Sequence, residues 1–365
     1  MIIPFNRLDS TTMGFKKILQ YSEPISPNHQ KFLKILINNL YVRNGKETYL
    51  DYTFNPILRK YLKDSRYRIA IFQYNNDRIV VLLKDIRMNL GQYIRAMYFP
   101  ISLNNNRENE IALVKVLYNK GLINQFVIPE IEKKYVTSID DSLEFTFYDD
   151  YFYSNIMNQL KRFNNRFLTK NRISKVLAKP DIFRIESGYN CDSEQILELE
   201  SLWNQYKEKK NVNIFERTLI RKIVERGNLD KDFIFINCYF KEKLFWTNIF
   251  IRTLIPGVMD ELVFKSAARI NNITNFYNPH TVEEREILRY MITRSSQQNL
   301  YFASTILDEY NVDLIGQAGC MGNKGIRQYK LQTSSGYINF HKTNIFNLAS
   351  KKSKQKASLS KFVIK

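Results

Sequence analysis

Cysteine and histidine are scarce in this chain. The three cysteines, Cys191, Cys238 and Cys320, are odd in number and widely spaced. No disulfide framework follows from them, and a reducing compartment, the cytoplasm, is the default expectation (a host cytoplasm if the source is viral). The three histidines, His29, His280 and His341, stand far apart, and no Cys-x-x-Cys occurs. The usual zinc ligand sets are therefore missing, and no metal is expected. The N-terminal MIIPFNRLDSTTMGFKK has no long apolar run after a basic start, so neither a signal peptide nor a transmembrane span is expected. Neither G-x-G-x-x-G nor G-x-x-x-x-G-K-[ST] is present, which removes Rossmann and P-loop nucleotide binding from consideration.

Acidic residues are also in the minority. Fifty-five Lys and Arg against 36 Asp and Glu give a formal net charge of +19 over 365 residues. Such an excess points to an anionic partner: nucleic acid, a phosphorylated substrate or an anionic membrane surface. Part of it lies in the terminal Lys351, Lys352, Lys354, Lys356, Lys361 and Lys365, read as a basic disordered tail over residues 346–365. What the chain does have is enough apolar and aromatic content, 44% and 14%, for two ordinary cores.

The stretch NVDLIGQAGCMGNKGIRQYKLQTSSGY, Asn311 to Tyr337, gathers five of the twelve glycines: Gly316, Gly319, Gly322 and Gly325 within ten residues, and Gly336 near its end. A short apolar strand opens into a glycine loop and resumes as a basic helical turn through Arg327 and Lys330. Such a loop lets backbone N–H groups approach an anion and aims a lysine at it. Ile326 and Tyr329, three apart, share a face and should anchor that turn, leaving Lys330 rotated about 100° away towards a gap between strands. Elsewhere, Lys161, Arg162, Arg166, Lys170, Arg172 and Lys175 fall within fifteen residues of one segment read as a long helix from Asp149 to Lys175. Like charges at that spacing oppose an isolated helix, so a bound phosphate would relieve them. Trp246, among Phe245, Ile249 and Phe250, reads as a core aromatic. Arg252 and Lys265 fall near strand ends, facing the inferred gap. Asp260 and Glu261 are neighbours on a strand and point to opposite faces, so they cannot act as one acid/base pair. His280 reads as a loop or cap residue.

The order of elements supports two repeats of one architecture. Helices over Pro27–Tyr41 and Leu50–Leu62, a hairpin turning at Asn75–Asp77, a strand over Gln92–Tyr98, a helix over Glu108–Tyr118 and a strand over Gln125–Ile128 form the first. The second follows the basic helix. It has a strand at Phe183–Ile185, helices at Ser193–Tyr206 and Asn213–Glu225, a hairpin Asp232–Phe240/Lys243–Arg252, and a strand Met259–Ala267. A helix over Thr281–Gln298 with a capping box at Thr281 and Glu284 then leads to the closing strand Asn311–Ile315.

Asp313, Gly316, Gly325, Ile326, Tyr329 and Lys330, in the order aspartate on a strand, small residues, loop, G-[IL]-x-x-[FY]-K, resemble the end of the acceptor domain of FemABX aminoacyltransferases. The C-terminal domain of phosphatidylglycerol lysyltransferases is similar. The resemblance implies an α/β fold of the α+β kind: two tandem GNAT-like units, each a mixed, mostly antiparallel sheet flanked by helices. They would span residues 1–148 and 149–345, with a ligand entering where strands of the second unit splay. It implies acyl-group transfer, with an aminoacyl group passing from aminoacyl-tRNA, as co-substrate, to an amine or hydroxyl. Lys330 and Asp313 would then be catalytic, Lys330 stabilising an oxyanion. Arg162, Arg166, Lys170, Arg172, Gly316, Gly325, Arg327 and Arg252 would bind substrate or phosphate. The segment Lys265–Asn272 lacks the [QR]-x-x-G-x-[GA] pyrophosphate loop of CoA-dependent GNAT enzymes, which argues against acetyl-CoA or another acyl-CoA as donor. Two alternatives share the fold and the charge: a viral or phage-type enzyme decorating DNA bases, and a non-catalytic GNAT pair that binds nucleic acid.

Overall fold

The computed structural model describes residues 11–12, 15–21, 67–74, 76–87, 93–98, 100–120, 122–123, 125–129, 144–164, 174, 178–207, 220–223, 231–253, 256–267, 276–317, 319–320 and 324–344. The helices expected at Pro27–Tyr41 and Leu50–Leu62, most of that at Asn213–Glu225, the residues Arg166, Lys170 and Arg172, and the tail after residue 345 lie outside the described residues. The fold is mixed α/β, strands flanked by helices. It divides into two compact units: residues 1–151 with 319–328 and 337–365, and residues 152–318 with 329–336.

In the first unit the described strands are β1 (Thr11–Thr12), β2 (Phe15–Tyr21), β3 (Tyr67–Tyr74), β4 (Asp77–Arg87), β5 (Tyr93–Tyr98), β6 (Ile101–Ser102) and β7 (Gln125–Pro129). Helix α1 (Arg107–Asn119) stands between the last two. Strands β1 to β5 pair antiparallel in sequence order, β6 doubles back onto β4, and β5 and β7 are parallel. A parallel pair needs a crossover, and α1 supplies it. Its Leu113, Val114 and Leu117 pack onto Ala70, Phe72, Val81 and Leu83. Asn106 caps it by accepting from the Asn109 N–H at 3.2 Å. Asp77, expected in a turn, is instead the first residue of β4 and buried. It accepts from the Ser102 hydroxyl at 2.7 Å and the Asn109 amide at 3.0 Å, so the hairpin end and the helix start share one polar knot.

Strand β8 (Glu144–Asn155) spans the division between the units. A helix was expected from Asp149; the segment EFTFYDDYFYSN is strand, because its aromatic and β-branched residues pair better than they coil. Its end pairs antiparallel with β13 (Leu314–Gly316): Leu314 with Asn155, Ile315 with Ser154, Gly316 with Tyr153. Helix α2 (Ile156–Asn164) begins only after Asn155, whose side chain accepts from the Asn158 N–H at 3.0 Å as an N-cap.

The rest of the second unit is β9 (Phe183–Gly188), α3 (Ser193–Lys207), β10 (Phe233–Phe240), β11 (Lys243–Arg252), β12 (Val258–Ser266) and α4 (Val282–Glu309), then β13. The chain leaves through α5 (Lys324–Thr333) and β14 (Gly336–Asn344), which share their residues between the two units. The hairpin β10/β11 turns at Lys241–Glu242, with Lys241 at φ +52°. All of β10 is buried, which matches its unbroken apolar run: helices cover both faces. On one face Ala303 and Leu307 of α4 and Ile156 of α2 meet Ile236, Phe250, Met259 and Ile315. On the other, α3 lies against β11 and β12. Trp246 is core, edge-on to Phe183 at 6.0 Å. The capping box at Thr281 and Glu284 is present, and Asp192 caps α3 through the Gln195 N–H. Helix α4 runs eleven residues past the expected Gln298 end.

Candidate active site

Strand β12 has nine residues but runs beside β13 for only three: Val258 with Leu314, Met259 with Ile315, Asp260 with Gly316. Beyond that point β13 has ended, and among the described residues no strand pairs with β12 on that side from Glu261 to Ser266. The carboxyl ends of two parallel strands that part in this way form a crevice, the place where open α/β sheets hold ligands.

What faces the fork is set by a bulge. Ile249 pairs with Val263 and Phe250 with Glu261, so Leu262 is one residue in excess on β12. Directly opposite residues share a face. Glu261 therefore lies on the side of Phe250, against α4, while Val263 and Lys265 lie on the side of α3. Asn248, two residues before Phe250, shares the Glu261 face. So does Asn299, one turn before Ala303 on the buried stripe of α4.

These residues meet. The Asn248 amide donates to Glu261 Oε1 at 2.9 Å, and the Asn299 side chain is also hydrogen-bonded to that carboxylate. Burial pushes the Glu261 carboxyl above its ordinary range, while the Lys330 charge and the two asparagine hydrogen bonds pull it back. Lys330, partly buried on α5, donates from Nζ to the Gln317 carbonyl, the first residue after β13, and stands 5.8 Å above the Phe152 ring. Gln317 is held in turn: its N–H donates to Phe152 O at 2.8 Å and its side chain accepts from Ser334 at 2.6 Å. Gly336 follows on the same segment, where a Cβ would run into the Tyr153 hydroxyl. Asp260 points to the other face, buried, with Oδ1 lacking a hydrogen-bond partner among the described residues, and burial pushes its carboxyl well up. The pairing rule that separates Asp260 from Glu261 thus holds, and Glu261 alone of the two reaches the fork.

The other residues singled out in the sequence are dispersed. Asp313 is exposed and lies before β13. Its N–H donates to Gly257 O at 2.7 Å and its carbonyl accepts from Ile156 at 3.0 Å. Gly257 sits at φ +75°, and a Cβ there would strike the Asp313 carboxylate. Four residues of extended chain, about 13 Å, separate Asp313 from Gln317, so Asp313 stands at the end of β13 away from Lys330. Gly316 is buried in the last pair of β13, and Gly325 is exposed in the first turn of α5. Arg327 is ion-paired with buried Asp150 in the first unit. Arg252 pairs with Asp232 at 3.1 Å across the start of the hairpin. Lys265, expected to face the gap, is buried on the α3 side and ion-paired with Glu200, because the bulge reverses the alternation. Arg162 is exposed on α2. His280 is an exposed loop residue whose N–H donates to Glu284 at 2.6 Å. Among the described residues there is no group of three or more His, Cys, Asp or Glu that could hold a metal ion, and no helix long and apolar enough to cross a membrane.

The sequence does not single out Asn248 or Asn299, and of Glu261 it shows only that it cannot pair with Asp260 as acid and base. The one legible signal was the spacing Asn299–Ala303–Leu307. That spacing lies beyond the helix end expected at Gln298, and the helix runs on to Glu309.

No protein-family model and no curated protein matches this chain. Solved structures do. A conserved protein of unknown function from Bacteroides thetaiotaomicron VPI-5482 is similar at a TM-score of 0.54 and 12% identity, over 89% of this chain and 99% of that one. L-PGS from Bacillus licheniformis is similar at 0.49 and 9%, over 94% and 97%. FemX is similar at 0.48 and 11%, over 77% and 88%. At these identities the likeness concerns the fold alone.

Proposed function

We propose that this chain is an acyl-group transferase working at the β12/β13 fork. The observation that carries the reading is the position of Glu261: a carboxylate on the strand that outlasts its parallel partner, with a lysine beside it. A nucleophile entering the fork meets Glu261, whose burial raises its proton affinity towards the range useful to a general base. Glu261 takes a proton from the attacking amine or hydroxyl as that atom bonds to the acyl carbonyl carbon. The carbonyl oxygen becomes an oxyanion, which Lys330 stabilises by charge. The tetrahedral intermediate collapses by expelling the donor's leaving oxygen or sulfur, which regains the proton. Binding two substrates in one crevice supplies the remaining acceleration through proximity.

The donor is an aminoacyl ester of tRNA in this reading, and the net charge of +19 supports it, since tRNA is a polyanion. The same charge supports a second acceptor reading, in which DNA bases are modified. Without turnover, the charge would instead serve plain nucleic-acid binding. The test is transfer of a labelled group from aminoacyl-tRNA, and in parallel from acyl-CoA, to a panel of amines, alcohols and DNA. Transfer from aminoacyl-tRNA that Glu261→Gln abolishes is the expected result. A folded chain that transfers from neither donor to any acceptor overturns the reading.

A further inference from the structure

Asn248 and Asn299 are buried, and the Oδ1 atom of each has no hydrogen-bond partner among the described residues. An orphaned buried acceptor costs about 1–3 kcal/mol, so one is rare, and two around one carboxylate call for a reason. Their orientation is fixed chemically. An ionised carboxylate only accepts, so each asparagine must turn its Nδ2 to Glu261, which leaves each Oδ1 as the open atom. A carboxylate and two unpartnered amide oxygens thus lie on one face of the sheet, buried beside the fork.

We infer that this trio binds a primary ammonium group, with Asn248 and Asn299 as positioning residues that select primary amines over alcohols and fully substituted ammonium ions. A primary ammonium has three N–H donors for three acceptors. An alcohol has one, and a tetraalkylammonium ion has none. An anion is refused by Glu261. After loss of one proton, a primary amine still has two N–H donors to be held, and its lone pair is left for the acyl carbon. Lys330 competes electrostatically for the same carboxylate, so its charge weakens the grip on a ligand cation. The ammonium has two chemical sources in the acyl-transfer reading, the acceptor amine or the α-ammonium of an aminoacyl donor. The inference rests on that reading only for this assignment, and the binding itself does not.

The test titrates the full chain with n-butylammonium, tetramethylammonium and n-butanol at constant ionic strength, by calorimetry. Saturable binding of n-butylammonium, at least about tenfold tighter than either control, is expected. Asn248→Leu and Asn299→Leu should each weaken it about tenfold, and Lys330→Met should tighten it. A purely structural role for the asparagines would not give that opposite response. If a leucine variant does not fold, the serine variant at the same position replaces it. Binding no better than that of the controls overturns the inference, as does n-butylammonium binding that folded variants at both asparagines leave unchanged. To separate the sources, aminoacyl and N-acetylaminoacyl donors are compared with an alcohol acceptor. Dependence on the free α-amino group assigns the ammonium to the donor, and transfer from both donors only to amines assigns it to the acceptor. Ammonium binding without transfer retires the acyl-transfer reading and leaves this inference standing. Transfer with no preference for the ammonium probe does the reverse.

Discussion

Both units contain an antiparallel run of strands followed, across a helix, by a parallel partner, yet they use it differently. In the first, the parallel pairing falls at the end of β5: Ala96, Met97 and Tyr98 meet Gln125, Phe126 and Val127. The chain then turns at buried Pro100, and β6 returns to β4. In the second, the pairing falls at the start of β12, and the next six residues have no strand partner on that side among the described residues. The same elements thus give a closed strand end in one unit and an open fork in the other. The polar groups follow suit. Asp77, Ser102 and Glu110 in the first unit hydrogen-bond one another or nearby backbone, which is what a structural knot does. In the second, the buried Oδ1 atoms of Asn248 and Asn299, beside Glu261, have no hydrogen-bond partner among the described residues. Pairing register, more than the inventory of strands, decides which unit has its parallel strands part.

The sharpest way to break this contrast is Glu261→Gln. It preserves shape and removes the base, so turnover should fall about 10²–10⁴-fold while the thermal midpoint holds or rises. Normal turnover by that variant would leave the fork without a function. The pH profile adds a sign. Glu261 acts when ionised, and burial raises its pKa, so turnover should climb as pH rises through that raised value. Lys330→Met removes the charge that lowers it and should carry the climb to higher pH.

The buried Lys265–Glu200 pair, on the face away from the fork, should govern stability instead. Lys265→Met strands a buried carboxylate and should cost about 3–5 kcal/mol in denaturant melts, and the double change Lys265→Met with Glu200→Leu should recover most of it. Next in size, Lys330→Met should slow transfer about a hundredfold and shift the midpoint by no more than a few degrees. In the first unit, Ser102→Ala unties the knot on Asp77. A loss of about 1–3 kcal/mol with unchanged turnover is expected, and a loss of turnover would mean the first unit is not a bystander. The smallest effect is on pH dependence. Asp260 is held with a raised pKa, so its contribution to stability is present below the ordinary carboxylate range and lost as pH rises through its folded value. Midpoints of Asp260→Asn across pH should lack that decline.

By itself the sequence determined what local chemistry controls. The Lys241–Glu242 turn, the capping box at Thr281 and Glu284 and the core place of Trp246 were all legible, because each depends on residues a few positions apart or on plain apolarity. So was a helical turn carrying Lys330, although Ile326, expected to anchor it, is exposed and no residue of that helix is fully buried. Tertiary structure decided the rest. Asn155 and Leu314 are 159 residues apart, and their pairing made strand of a segment that reads as helix. One excess residue, Leu262, reversed the faces of β12, burying Lys265 against Glu200 and leaving Glu261 on the fork side. Asn248, Glu261, Asn299 and Lys330 come from four elements, and no spacing along the chain links them. They converge because β13 ends at Gly316 while β12 does not, a matter of where two strands stop pairing, which depends on every neighbour packed against them.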